Sequence, residues 1–225
     1  MFVEGLHAKV GDVVQNAKVT APMSAHPRVR RTQADRSAAT REALVAAGRR
    51  LFAGQGFADV PTDAIAAEAG VTRGALYHQF ADKVALFDAV VDAVEADIAA
   101  RLAAEVAAAG VADPVEGIRQ AVRAWLEICV EPESYRIALL DGPSVLGWAR
   151  WREVCQRHVF GLAQALLVQG MELGLIRRQP ARPLAHILMG ASDEAALYVA
   201  EAADRAQARA EMIAVLDQLI KGVTA

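Results

Sequence analysis

The sequence predicts an all-α protein, and three observations carry that expectation. Ala, Leu, Glu, Arg and Gln dominate, β-branched residues are scattered and aromatics make up only 5% of the chain, so helix propensity outweighs strand propensity over most windows. Apolar residues recur at intervals of three and four, the period that lines one face of a helix. Glycine and proline punctuate that pattern at Gly54, Gly70, Gly110, Pro132 and Pro180, where helices stop and restart. With 225 residues and 54% hydrophobic composition, the chain has ample material for a buried core in one or two domains.

Residues 1–34 are expected to form a disordered extension, since no period is sustained there and Ala21 to Pro27 reads as a non-helical linker. Met23 is a candidate natural start. Arg28, Arg30 and Arg31 make a basic arm, of use to a nucleic acid only where a folded domain carries it to a groove. A first helix is predicted from Asp35 to Gly54, with Ala43, Leu44, Ala47, Leu51 and Phe52 on its apolar stripe. Phe57 and Val60 then belong to a core shared with Ile65, Leu76 and Phe80.

Val60 to Phe80 reads as two short helices joined by a tight glycine turn. Thr62 is the expected N-cap of the first, whose Ile65, Ala66 and Ala69 share a face, and Gly70 ends it. Thr72 caps the second, with Leu76 and Phe80 four residues apart on its inner side. Arg73, Gly74, Ala75, Tyr77 and His78 are left facing outward. This is the helix-turn-helix pattern, in which the second helix enters a DNA major groove.

A long helix is predicted from Asp82 to about Ala109, because Phe87, Val90, Val91, Val94, Ile98, Leu102 and Val106 keep helical spacing. At about 40 Å it would leave the DNA-reading unit and enter a second one, as a lever or as a plain core helix. Pro114 opens the next helix, with Ile118, Val122, Trp125, Leu126 and Cys129 on its buried face. A shorter helix is expected around Ser134 to Leu140, a turn at Asp141 to Ser144, and one continuous helical pattern from Val145 to Gly174. The last two helices, about 183–203 and 206–222, carry broader apolar faces than one internal contact requires, with small residues at Gly190, Ala191, Ser192, Ala195 and Ala196. They are read as a subunit interface in preference to an internal hairpin.

The formal net charge of −3 hides a polarity. Residues 28–83 hold nine basic and six acidic groups, whereas residues from 84 onward hold thirteen and nineteen. One end suits phosphate and the body does not. Cys129 and Cys155 have no metal-ligand or CxxC spacing and read as reduced thiols of a cytoplasmic protein, given no secretory signal. No apolar run reaches the roughly 18 residues of a membrane-spanning helix. No nucleophile elbow, phosphate loop, HExxH or paired-carboxylate motif occurs, and His158 and His186 lack partners at ligand spacing, so no enzyme, metal site or cofactor is expected.

Phe52, Gly56-Phe57, Ile65-Ala66, Ala69-Gly70-Val71-Thr72, Gly74, Leu76-Tyr77, Phe80, Lys83 and Leu86 together resemble the N-terminal signature of TetR-type transcriptional regulators. The run Leu139 to Trp148 is similar to a segment of one branch of that family. The resemblance implies a DNA-binding domain over 35–81 and a ligand-binding and dimerisation domain over 82–225. It implies that Thr72, Arg73, Gly74 and Ala75 face bases or their sugar-phosphate edges, Tyr77 and His78 the backbone, and Thr62 and Lys83 phosphates. Those roles agree with chemistry, since Arg can pair bidentately with guanine while hydroxyls and Lys hold phosphates. The chain departs from the family pattern at Val60-Pro61, where Thr62 is expected to take over the cap, and at His78-Gln79.

The resemblance also places Trp125, Tyr135, Leu139, Trp148, Trp151, Arg152, His158 and Met189 on helices lining an effector cavity. Arg152, His158, Asp141 and Glu194 are candidate polar anchors there, and each also reads, in preference, as a surface or structural residue. Three tryptophans in an aromatic-poor chain fit an apolar pocket with a few polar groups, and equally fit plain core. The expected protein is a homodimeric repressor that leaves a pseudo-palindromic operator in double-stranded DNA when a small, largely apolar effector binds. The competing expectation is a helical small-molecule-binding or interaction protein without sequence-specific DNA binding. Arg73 separates them, exposed in the first and buried and paired in the second.

Overall fold

The computed structural model describes residues 32–110 and 112–225. The basic arm (Arg28, Arg30, Arg31) and Met23 lie outside the described residues, as does most of the expected extension. What is described is helical throughout, with a lone antiparallel bridge between Ile176 and Thr224.

Helix α1 (Gln33–Gln55) opens on a reciprocal capping box: the Asp35 amide donates to the Thr32 hydroxyl and the Thr32 amide to the Asp35 carboxylate. It ends at Gly56, whose φ of 83° is open to glycine and strained for other residues. Helices α2 (Thr62–Glu68) and α3 (Arg73–Gln79) follow, joined by Gly70 at φ 67° and by the Val71 amide donating to the Ala66 carbonyl at 2.9 Å. Pro61, not Thr62, is the cap residue of α2, and it offers no side-chain bond. Proline fixes the extended backbone needed there, so the hydroxyl of Thr62 is free for another partner.

Helix α4 (Lys83–Ala108) is 26 residues long, capped by Asp82 on the Ala85 amide. Helix α5 (Pro114–Ile128) is capped by Asp113. The helix expected around Ser134 to Leu140 is present as a π-helix, Ser134–Asp141, whereas the expected turn at Asp141 to Ser144 is instead a short helix, α6 (Gly142–Leu146). The expected continuous helix from Val145 is interrupted at Gly147 (φ 75°) and again at Val159, giving α7 (Trp148–His158) and α8 (Phe160–Glu172). The second break is slight, since the Val159 amide still donates to the Cys155 carbonyl at 3.0 Å. Helices α9 (Ala181–Glu201) and α10 (Arg205–Lys221) complete the chain. The C-terminus is pinned where the Ala225 amide donates to the Leu175 carbonyl and the Arg177 amide to that of Val223.

Buried side chains form one continuous cluster from Leu44, Phe52, Val60, Ile65, Leu76 and Phe80 through Phe87 and Val94 to Trp125, Trp151 and Leu216. Phe52, Phe57 and Phe87 meet edge-on or tilted at its N-terminal end, centroids 5.0 to 5.7 Å apart, which locks α4 onto α1 and the loop after it. A second cluster around Ile118, Phe160, Leu167, Ile176 and Ile220 closes the far end. The helix-turn-helix is therefore packed onto the same core as the helices behind it.

Candidate nucleic-acid interface and ligand cavity

Helix α3 is seated by its inner face and by its C-terminal end. Leu76 and Phe80 are buried, Gln79 donates to the Ser37 hydroxyl of α1 at 2.8 Å, and the Arg41 guanidinium lies 4.3 Å over the Phe80 ring. The outer face carries what the spacing placed there. Thr72 caps the helix by accepting from the Ala75 amide, and Arg73, Gly74, Tyr77 and His78 are exposed, with Ala75 half-buried.

The Arg73 side chain is 63% exposed and reaches Asp63 of α2 at 3.3 Å, with its guanidinium 5.5 Å from the Tyr77 ring centre. A surface pair of that length is loose and readily exchanged for another acceptor. Thr62 and Tyr77 share a hydroxyl hydrogen bond at 3.3 Å, and that bond, with the Arg73 charge, lowers the Tyr77 pKa. Thr62, Asp63, Arg73 and Tyr77 thus form one exposed polar cluster across the two helices. Asp63 is a member that spacing alone did not single out. A side chain at position 74 would meet only the Thr72 hydroxyl, at 3.8 Å, so packing within the chain does not require glycine there.

Lys83 is less free than expected. Its ammonium donates to the Ala58 carbonyl at 3.3 Å and lies 4.3 Å from the Phe57 ring centre, and burial lowers its pKa against the pull of Asp59. The side chain braces the loop between α1 and α2.

Behind this layer is a half-open, largely apolar cavity. Of the eight expected effector residues, Trp125, Leu139, Trp151 and Met189 line it. Trp125 and Trp151 donate their ring N–H groups to the carbonyls of Ser192 (3.1 Å) and Ala138 (2.8 Å), which leaves apolar ring surface as wall. Tyr135, Trp148, Arg152 and His158 do not line it. Trp148 starts α7 after the Gly147 break and is 62% exposed, lying 4.9 Å from the Trp151 ring. Arg152 stacks on both rings, at 4.6 and 5.0 Å, and His158 is bonded to Asp92 of α4 at 3.0 Å. Asp141 accepts from the Phe57 amide at 2.8 Å and Glu194 is exposed, so neither is a cavity anchor.

The polar groups that do line the cavity were missed. Glu95, 3% exposed, receives only the Cys155 thiol at 3.5 Å, and Asp193 lines the wall near it. Burial pushes the Glu95 carboxyl up to about 7, with Asp193 and Asp92 adding repulsion, and pushes Asp193 up to about 6, against the pull of Arg152. Burial likewise pushes the Cys129 thiol up to about 12 and raises Cys155, so neither is a reactive thiolate. Glu95 had a signal in the sequence: it falls between Val91 and Ile98 in an apolar stripe, where a surface glutamate does not belong. Among the described residues no group of His, Cys, Asp or Glu is placed to hold a metal, and no helix is long and apolar enough to cross a membrane.

Comparison with known proteins decides the family. Residues 44–90 match the family described as bacterial regulatory proteins, tetR family, and residues 115–223 match a tetracyclin repressor-like C-terminal domain. A TetR-family transcriptional regulator from Pectobacterium atrosepticum is 37% identical, with 87% of this chain and 98% of that one aligned at a TM-score of 0.74. The chain belongs to the TetR family of transcriptional regulators. The transcriptional repressor BepR of Brucella suis is 41% identical over 63 residues, a match spanning 28% of this chain and 30% of that repressor's length. RolR, solved with resorcinol bound, shares the fold at a TM-score of 0.66 and 20% identity, over 84% of this chain and 95% of RolR.

Proposed function

We propose that this TetR-family protein is a homodimeric repressor whose α3 helices read a pseudo-palindromic operator and whose cavity takes a small, largely apolar effector. The exposed cluster of Arg73, Tyr77 and Thr62 carries the reading, since a guanidinium held loosely at a helix start can exchange Asp63 for guanine. Thr72, Gly74 and Ala75 present the first turn to base or sugar edges, and Thr62, Tyr77 and His78 fix the register through phosphates. The functional division falls near residue 82, with 35–81 reading DNA and 82–225 binding effector and partner. The effector role is supported by a cavity walled by Trp125 and Trp151, and by a TetR-fold protein, RolR, that takes an aromatic ligand.

Dimerisation is assigned to α9 and α10, which expose Ile187 (70%), Tyr198 (51%), Val215 (55%) and Leu219 (50%). Ile187 and Tyr198 are three helical turns apart and share a face with the small residues Gly190 and Ala191. Apolar exposure on this scale, on two adjacent helices, fits a self-complementary two-fold contact.

The test is binding of Arg73→Ala to an operator and to base-substituted versions of it. The expected result is loss of discrimination, about 1–3 kcal/mol at the affected position, with the dimer intact by light scattering. Unchanged discrimination would remove Arg73 from base reading. The runner-up, a ligand-binding protein without DNA recognition, is favoured by a buried and paired Arg73, and the residue is exposed with a loose pairing to Asp63.

A further inference from the structure

Every ionisable carboxyl or amine that lines the cavity is acidic: Glu95 from α4 and Asp193 from α9, with no Lys, Arg or His in the wall. Glu95 is buried and holds only a thiol donor. Asp193 receives no hydrogen bond among the described residues; it repels Glu95 and is drawn by the Arg152 guanidinium, which stacks on Trp148 and Trp151 and keeps a buried Nη1 without a partner. An apolar chamber with two under-satisfied carboxyls on facing helices is a costly arrangement for an empty protein, because buried carboxylates need donors or a counter-charge. A neutral apolar ligand would leave both carboxyls short of partners. An anionic one would add a third negative charge beside Glu95 and Asp193.

We propose that the cavity selects aromatic, amine-bearing cations, with the ring between Trp125 and Trp151 and the ammonium paired to Glu95 and Asp193. This rests on the reading of the cavity as the effector site. Indole faces attract a cation as well as an aromatic ring, so the walls and the carboxyls favour one chemistry. Binding draws both carboxyls into their ionised forms and is therefore strongest above the range in which they titrate in the empty protein. The charged groups around the pair are Arg152 on α7 and Asp92 on α4, and Asp92 is already held by Arg157 and His158 of α7.

The experiment uses the full chain and three matched probes: 1-naphthylmethylamine, 1-naphthylmethanol and 1-naphthoate, followed by quenching of tryptophan fluorescence. At pH 8 the amine is expected to bind at least about tenfold more tightly than the alcohol. That preference is expected to vanish in Glu95→Gln/Asp193→Asn and to shrink on acidification to pH 5.5. Asp193→Asn alone supplies the test if the double variant unfolds. Equal or weaker binding of the amine, including no measurable binding, overturns the proposal, as does an amine preference that survives the double variant. Operator binding measured in parallel separates the two readings. An amine that binds through these carboxyls without weakening DNA affinity sustains the cation site and removes the regulatory role. Release of DNA by the alcohol or the carboxylate in preference to the amine does the reverse.

Discussion

Glu95 is the residue whose chemistry most constrains the protein. Its folded-state pKa of about 7 is raised above the ordinary carboxyl range, so the folded state binds protons that the unfolded chain has lost. The stability that this carboxyl contributes is fully present at low pH and is lost as pH rises through about 7, with Asp193 acting in the same direction up to about 6. Glu95→Gln is expected to raise stability at pH 8 by on the order of 2 kcal/mol and to do little at pH 5, measured by thermal denaturation at both pH values. Equal effects at the two pH values would show that the carboxyl is not held neutral. Lys83 gives a second residue-scale expectation. Because its ammonium braces the Phe57–Ala58 loop, Lys83→Ala should lower Tm as well as reduce the salt slope of DNA binding by about one. A lowered Tm with an unchanged slope would make it a brace alone. Residue-level legibility was uneven for a physical reason. Outward positions on α3 follow from helical period, whereas Trp148 is left exposed because α7 restarts there after Gly147, a break that a composition argument does not see.

Among the elements, the π-helix Ser134–Asp141 joins the two functional regions. Leu139 lines the cavity, while Asp141 accepts the Phe57 amide at the base of the helix-turn-helix. The Arg136 guanidinium packs against Gly56, where an added Cβ would come within 2.7 Å of it. Arg49 of α1 is shared between Asp97 of α4 and Glu133, just ahead of the π-helix, and these partners raise its pKa. A π-turn is a strained and adjustable way to hold such contacts. Asp141→Ala removes a charge-assisted hydrogen bond and is expected to speed amide exchange at residues 56–60 by about tenfold or more. Exchange at the wild-type rate would mean that the loop is held by packing alone. The sequence showed most helices here because their apolar stripes and caps are local. The helix from Ser134 was legible, but its π register and α6 were not, since backbone register in Ser134–Leu146 is set by contacts with α1, α4 and Trp151 rather than by its own period.

At the scale of the whole molecule, one buried cluster runs from the helix-turn-helix to the cavity, and in the proposed repressor it is the route by which an effector would bias α3. In the proposed dimer, the second protomer would supply the second reading helix. Replacing Ile187 with Arg and Tyr198 with Glu is expected to yield monomers by light scattering and to weaken operator binding steeply. A persistent dimer would place the interface elsewhere. The charge polarity between residues 28–83 and the rest was visible in the sequence and fits a molecule that meets DNA at one end. The acidic cavity was invisible at this scale, because Glu95 and Asp193 converge from helices nearly a hundred residues apart.

The central claim, a two-fold reader of DNA built on α3, is tested most directly by selecting fragments of the organism's own genome on the purified full chain and sequencing those retained. The account predicts fragments that share a pseudo-palindrome whose half-sites are about 34–36 Å apart, or a multiple of that. Retained fragments with no common site, or with one lacking two-fold symmetry, would contradict it.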